Sequence, residues 1–305
     1  MCRPPVALIG VTASGKTELA IGLARARRDA ELVSMDSMSV YRGMDIGTAK
    51  PSSSQLSQVP FHMFDLVEPS EDFSVSRFQG AASCALAGIE ERGNRALLVG
   101  GTGLYVRAVV DGLDVPGQWP TISAALDRQA STPGGLETLF RRLSELDPLA
   151  ATRMEPTNRR RVVRALEVTL GSGRPFSSFG PGLTAYGPTR FVLLGVPYDP
   201  ASSDARIELR LSSMLEAGLV DEVRRLSVAG MSRTARQALG YKELLAYVEG
   251  RSSLEDATGE VLRRTKRFAR RQWAWFRRDP RIEWLDPGAD YASQILERWD
   301  RRCEA

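Results

Sequence analysis

The chain has 305 residues, 43% of them hydrophobic and 26% charged, with a formal net charge of +4; this is enough apolar material for a full α/β core with room for a second small domain, and it marks a folded soluble protein. Three cysteines far apart (Cys2, Cys84, Cys303) and a single histidine (His62) exclude a disulfide framework, a cysteine zinc site and any multi-histidine metal centre. No apolar run approaches the ~20 residues of a membrane span and no signal-peptide pattern precedes residue 10, so no membrane association is expected and a reducing cytoplasm is the expected compartment.

The first strand-like run, Val6 to Ile9, leads straight into Gly10-Val11-Thr12-Ala13-Ser14-Gly15-Lys16-Thr17 and then a helical pattern with Leu19, Leu23 and Ala24. A glycine-rich loop between a strand and a helix is a phosphate cradle. Gly10 and Gly15 let backbone wrap the anion, the helix start offers unpaired N–H groups, Lys16 adds a mobile charge, and the Thr17 hydroxyl is the expected inner ligand of a Mg²⁺ ion bridging the phosphates. The chain therefore holds a di- or triphosphate.

Further strand-like runs occur at Leu32 to Met35, Ala96 to Val99 and Phe191 to Val196, separated by helical patterns such as Phe78, Ala82, Ala85 and Ile89. This alternation predicts a P-loop-type α/β fold, a parallel sheet flanked by helices. In such sheets the ligand crevice lies at the carboxyl ends of strands. Asp36, with Ser37, Met38 and Ser39, follows the second run and is a candidate base beside the phosphate loop, with a helix N-cap as its bland reading. Gly100-Gly101-Thr102-Gly103-Leu104-Tyr105 follows the third; Thr102 caps the next helix and can also donate or accept beside Asp36. That strand ends in glycines without an acid to hold Mg²⁺ and water, so ATP hydrolysis is not the natural reading.

Residues 113–188 contain short helical patterns and no convincing strand, bounded by Pro116, Gly117 and Pro120 and by the Gly-, Pro- and Ser-rich stretch 171–188. We read a helical insertion there, inside a core domain made of 1–112 and 189–305. Arg159-Arg160-Arg161 and Arg164 lie within it, and Arg160 and Arg164, four apart, share a helix face that could clamp phosphates. After the last long strand, Arg206 and Arg210 also lie one helical turn apart; pointing into the crevice they would neutralise a departing anion, and the sequence leaves their direction open. From Arg263 to Arg278 there are eight Lys or Arg and no acid, interleaved with Phe268, Trp273, Trp275 and Phe276. The aromatics, with Gln272 near their stripe, read as core, and the basic surface as a site for a polyanion such as RNA.

Taken together with Asp36-Ser37 to Val40-Tyr41, Gly43-Met44-Asp45-Ile46-Gly47-Thr48-Ala49-Lys50-Pro51, Arg164-Ala165-Leu166-Glu167-Val168 and Gly240-Tyr241-Lys242-Glu243, the phosphate loop and the Gly100 segment make this chain resemble the tRNA dimethylallyltransferase family. The resemblance runs in order from the first strand to Arg270-Arg271-Gln272-Trp273. It implies transfer of a dimethylallyl group from dimethylallyl diphosphate to N6 of a flipped adenosine at tRNA position thirty-seven, releasing pyrophosphate with Mg²⁺. It further implies that residues Gly10, Thr12, Ala13, Ser14, Gly15, Lys16 and Thr17 hold the donor and that Asp36 is the base. Thr102 then orients the amine, and Lys16 and Arg210 meet the leaving group. Asp36 to Ser39, Thr102, Arg160, Arg161, Val162, Val163, Arg164, Gln237 and Lys242 are implied tRNA contacts, the helical insertion embraces the anticodon stem, and a monomer is expected. The chain departs from the family pattern at Val11, where proline is usual, and at Thr157-Asn158-Arg159.

Three rivals share features. A small-molecule or nucleoside kinase explains the loop and leaves the basic tail unexplained. A nucleotide-regulated RNA-binding protein explains the charges and not the acid, threonine and arginines at strand ends. Enzymes that prenylate free adenine nucleotides share the core without needing the RNA surfaces.

Overall fold

The computed structural model describes residues 4–301, which leaves Cys2 and Cys303 outside the described residues. Cys84 is a free, exposed thiol. The chain divides into two compact units, one made of residues up to 111 and from 188 onward, the other of 112–187.

The larger unit is built on a sheet of six parallel strands in the order β3-β2-β4-β1-β5-β6. These are β1 (Val6–Ile9), β2 (Ala30–Ser34), β3 (Phe61–His62), β4 (Arg95–Gly100), β5 (Val192–Gly195) and β6 (Glu283–Trp284). The four long runs expected from the sequence are strands; β3 and β6 are two-residue edge strands, too short to leave a periodic pattern. Because strand side chains alternate, Ala7 and Ile9 of β1, Ala96 and Leu98 of β4 and Leu193 of β5 enter one core, while Val6, Leu8, Leu97, Val99, Val192 and Leu194 enter the other. Both faces are buried, as continuous apolar strands require.

Helix α1 (Lys16–Ala26) follows β1, a short α2 (Ser53–Leu56) precedes β3, α3 (Val75–Glu91) precedes β4 and α4 (Gly103–Val110) follows it. Although β1 and β4 are neighbours, α1 packs on one face through Ala20, Ile21, Leu23 and Ala24, and α4 on the other through Tyr105, Val106, Val109 and Val110. The two chains part at their carboxyl ends, which opens a crevice there.

The smaller unit contains α5 (Pro120–Ala130), α6 (Gly135–Leu146), α7 (Pro148–Thr152) and α8 (Arg159–Ser172) around Leu126, Leu139, Leu143, Val162, Val163 and Leu166. Its entry is fixed by one ion pair. Arg164 donates to the carbonyls of Pro116 (2.9 Å) and Gly117 (3.0 Å) and pairs with Glu167 (2.9 Å), whose carboxylate also accepts from the Trp119 N–H (2.8 Å). The Trp119 ring lies so close to Gly171 that a Cβ there would come within 2.2 Å of it.

The larger unit resumes with α9 (Pro200–Glu216), α10 (Leu219–Ala229), α11 (Tyr241–Val248), α12 (Leu254–Phe276) and α13 (Tyr291–Arg301). α13 is locked to the sheet by the fully buried Trp299: the Arg95 guanidinium sits 4.5 Å from its ring centroid and donates to its carbonyl. His62, the lone histidine, is tied into the fold: its Nε2 lies 2.6 Å from the buried Glu31, which also meets Arg92 and Asn94. Hydrogen bonds from Arg92 are the main reason that the Glu31 carboxyl is held down at about 2.

Candidate active site

The phosphate loop occupies the carboxyl end of β1. Gly15 has φ +80° and stands at the N-cap of α1 with no side-chain cap, so the first N–H groups of that helix are uncapped. Ala13 also lies in the left-handed region at φ 57°, a conformation costing a residue with a Cβ about 1–2 kcal/mol and found where a loop's shape serves a ligand. Ser14 Oγ is buried and has no hydrogen-bond partner among the described residues. Lys16 Nζ donates to the Val11 carbonyl at 3.0 Å. Burial, followed by repulsion from Arg210, lowers Lys16 from 10.5 to about 8, against the opposing pull of Asp36 and Glu18.

The same charges surround Arg210. Burial lowers it too, and Asp36 and then Glu18 pull it back up. Lys16, Arg210 and Asp36 thus form one electrostatic cluster, with two cations held near each other at a cost that an anion between them would relieve. Packing decides what the spacing left open: Ile207 and Leu211 of α9 are buried and Arg210 is partly buried with them, whereas Arg206 is exposed and donates to Ser203 Oγ at 3.4 Å.

Asp36 follows β2 and closes an Asx turn, its Oδ1 accepting the Met38 N–H at 2.7 Å; no described residue hydrogen-bonds Oδ2. It is not an N-cap. Ser39, an implied tRNA contact, is 3% exposed, and its hydroxyl lies 3.0 Å from that of Ser34 and donates to the Asp36 carbonyl, so that its side chain shapes the turn. Ser37 and Met38 keep partial exposure.

Thr102 stands at the N-cap position of α4, but its hydroxyl makes no capping bond, which leaves it available in the crevice. The preceding glycines are sterically required. A Cβ on Gly100 would meet that of Met35 at 2.5 Å, and one on Gly101 would meet the Gly10 carbonyl at 2.5 Å.

The segment 43–50 owes its order to groups the sequence reading missed. Glu222 of α10, 1% exposed, accepts from the N–H groups of Asp45 (3.0 Å), Ile46 (2.9 Å) and Gly47 (3.1 Å) and from the Tyr241 hydroxyl (2.6 Å). Three successive backbone donors make a nest for a carboxylate. Burial and then the Glu222 charge push the Tyr241 phenol far up, so it stays a donor. Lys50 ties the other end to the Tyr41 carbonyl, Asp45 and Asp65.

A second missed residue is Gln272, 7% exposed on α12, whose amide joins Thr12 of the phosphate loop to Gly101. Its only trace in the sequence is a lone amide on an apolar stripe.

The remaining sequence-derived positions divide by unit. Lys242 and Gln237 are exposed, bonded to each other at 2.8 Å, and line a cavity of about 390 Å³ with Arg236, Arg251 and Arg264. In the smaller unit Arg160 and Arg161 are exposed. Val162 and Val163 are instead core residues, 0% and 5% exposed, and the Arg164 guanidinium is engaged by the entry loop; the run therefore presents two exposed basic side chains, Arg160 and Arg161, rather than a five-residue surface. The basic stretch of α12 is also less bare than its sequence. Arg263 and Arg264 pair with Glu260, Arg264 with Glu243, and Lys266 and Arg270 with Asp204 and Glu208 of α9. Among the described residues Arg267, Arg271, Arg277 and Arg278 have no such partner, and all four are exposed.

The IPP transferase family model matches residues 39–279. A tRNA dimethylallyltransferase of Bifidobacterium animalis subsp. lactis is 44% identical over 284 residues, 92% of this chain and 81% of the relative. The chain belongs to the tRNA dimethylallyltransferase family. It is thus a prenyltransferase. The crystal structure of the full-length tRNA isopentenylpyrophosphate transferase of Bacillus halodurans matches with TM-score 0.70 at 36% identity, over 99% of this chain and 96% of that one. A eukaryotic dimethylallyltransferase acting on tRNA matches with TM-score 0.77 at 26% identity, over 100% of this chain and 78% of its own. The P-loop-type parallel sheet of this dimethylallyltransferase is the fold of those neighbours.

The donor set also bears on Mg²⁺. Among the described residues no group of three or more His, Cys, Asp or Glu could hold a metal. Thr17, with a hydroxyl engaged by no described residue, suits an ion that draws most of its ligands from phosphate oxygens and water, as Mg²⁺ does.

Proposed function

We propose that this transferase moves a dimethylallyl group from dimethylallyl diphosphate to N6 of the adenosine at tRNA position thirty-seven, giving N6-dimethylallyladenosine and pyrophosphate. The observation that carries this reading is the cluster of Lys16, Arg210 and Asp36: two partly buried cations beside a phosphate loop, electrostatically coupled to a carboxylate whose second oxygen no described residue hydrogen-bonds.

The exocyclic amine of adenine is a weak nucleophile because its lone pair is delocalised into the ring. Asp36 accepts its proton as the N6–carbon bond forms, and Thr102 orients the amine. The allylic C–O bond breaks with its electron pair going to the diphosphate. Lys16, Arg210, the loop N–H groups and the Ser14 hydroxyl meet that charge where it develops, each such contact being worth about 10²-fold in turnover. Bound at Thr17, Mg²⁺ would add charge neutralisation on the diphosphate.

An adenine stacked in an anticodon arm cannot offer N6 to a crevice at strand ends, so the base is flipped out. Exposed Arg160 and Arg161 in the smaller unit, and Gln237, Lys242, Arg267 and Arg271 in the larger, supply phosphate and sugar contacts. The protein acts as a cytoplasmic monomer. Incubation with labelled dimethylallyl diphosphate, Mg²⁺ and either tRNA, AMP or ATP tests the proposal. Label in tRNA alone is expected; label in AMP or ATP alone would overturn the choice of acceptor.

A further inference from the structure

Where β1 and β4 end, their ladder reaches only as far as the Gly10 N–H, which donates to the Gly100 carbonyl at 3.3 Å. Beyond it the chains part, one into the phosphate loop and the other toward Thr102. Gln272 spans this gap from a third element. Its Oε1 accepts the Thr12 N–H at 2.8 Å and its Nε2 donates to the Gly101 carbonyl at 2.7 Å. One neighbour is a donor and the other an acceptor, so the amide orientation is fixed. The fit is tight. A Cβ on Gly101 would come within 2.6 Å of Nε2, and the rest of the buried face of α12 is Ala257, Val261, Ala269 and Phe276.

A side-chain amide is the group that replaces one backbone rung, offering an acceptor and a donor in a single plane. A glutamate would set a second acceptor against the Gly101 carbonyl, and a methionine would leave a buried N–H and C=O unpaired. We infer that Gln272 is a positioning residue: it fixes the phosphate loop against the Thr102 turn, and so sets the distance between the donor's reacting carbon and the acceptor amine. Because a displacement of about 1 Å between reacting groups can cost 10²-fold, its removal acts on turnover rather than on binding of either substrate. This rests on the reading that the loop holds the donor and Thr102 orients the acceptor.

The test compares full-length wild type, Gln272→Met, Gln272→Glu, Thr102→Ala and the Gln272→Met/Thr102→Ala double variant, with turnover expressed per donor-binding site counted by titration so that misfolded protein is not scored. Gln272→Met is expected to lower kcat by about 10-fold or more, with the KM for dimethylallyl diphosphate and for tRNA within about threefold of wild type. Gln272→Glu should lose at least as much. Thr102→Ala should cost less in the Gln272→Met background than alone, because an unanchored turn no longer aims the hydroxyl. An unchanged kcat per binding site, a loss confined to KM, or full additivity in the double variant would overturn the inference. Failure of the underlying reading has a different signature: Thr102→Ala alone would leave turnover untouched.

Discussion

Replacing Glu222 probes how a remote carboxylate shapes the loop that runs on from Asp36. In Glu222→Gln the amide oxygen can still serve Asp45 and Ile46, but the NH2 then takes the place of the oxygen that accepts from Gly47 and Tyr241. The phenol can rotate and accept, whereas the Gly47 N–H is left facing a donor in a buried site. One unsatisfied buried donor and the loss of charge on two remaining hydrogen bonds amount to about 2–3 kcal/mol. Tyr241→Phe removes a single hydrogen bond and should cost about 1 kcal/mol. Gly47→Ala should resemble the glutamine variant, since its Cβ would come within 2.5 Å of the Tyr241 ring. Urea denaturation of the three variants, followed by far-ultraviolet circular dichroism, should order the midpoints as wild type above Tyr241→Phe above Glu222→Gln. A Glu222→Gln midpoint equal to wild type, or above that of Tyr241→Phe, would refute the nest as the organiser of this loop.

Other outcomes follow from the same structure. Asp36→Asn should hold tRNA affinity within about threefold and lower kcat by about 10²–10⁴, measured by single-turnover prenylation. Substituting glutamine for both Arg267 and Arg271 should flatten the salt dependence of tRNA binding by about 0.7–0.9 per lost contact in log–log slope, while leaving donor affinity alone; the ion-paired Lys266 should contribute less. Glu31 carries an acid-stability signature. Its carboxyl is lowered from 4.5 to about 2, chiefly by Arg92, so its contribution is fully present above about 4.5 and is lost as pH falls through about 2. Glu31→Gln should therefore flatten the pH dependence of unfolding between those values.

The parts of the site that were legible in the sequence are those whose chemistry is local. Gly10 to Thr17 declares itself because a phosphate loop needs its glycines, lysine and threonine within one turn, between a strand and a helix. Asp36 and the Gly100-Gly101-Thr102 run were legible because parallel topology puts every strand's carboxyl end in one place. What stayed hidden depends on partners far along the chain. The 43–50 segment stands out as a motif, but its organiser, Glu222, lies 175 residues from Gly47. The basic side chains of α12 looked bare because most of the acids that meet them, Asp204, Glu208 and Glu243, come from α9 and α11, while Glu260 lies just upstream of the basic run on α12 itself. The resemblance named Val162 and Val163 together with the arginines around them; only the core of the smaller unit shows that their side chains point inward. By spacing alone Arg206 and Arg210 were equivalent; the resemblance pointed to Arg210, and its packing with Ile207 and Leu211 separates the two physically.

Transfer of a prenyl group, as against a phosphoryl group, is decided by which atom of the donor is attacked. Dimethylallyl diphosphate carrying heavy oxygen in the bridge between carbon and phosphorus, turned over with tRNA, separates the possibilities by mass spectrometry of the products. Attack at carbon predicts that all of the label leaves with pyrophosphate, in step with prenylated adenosine; label retained in dimethylallyl alcohol, with the diphosphate passed to the acceptor, would contradict it.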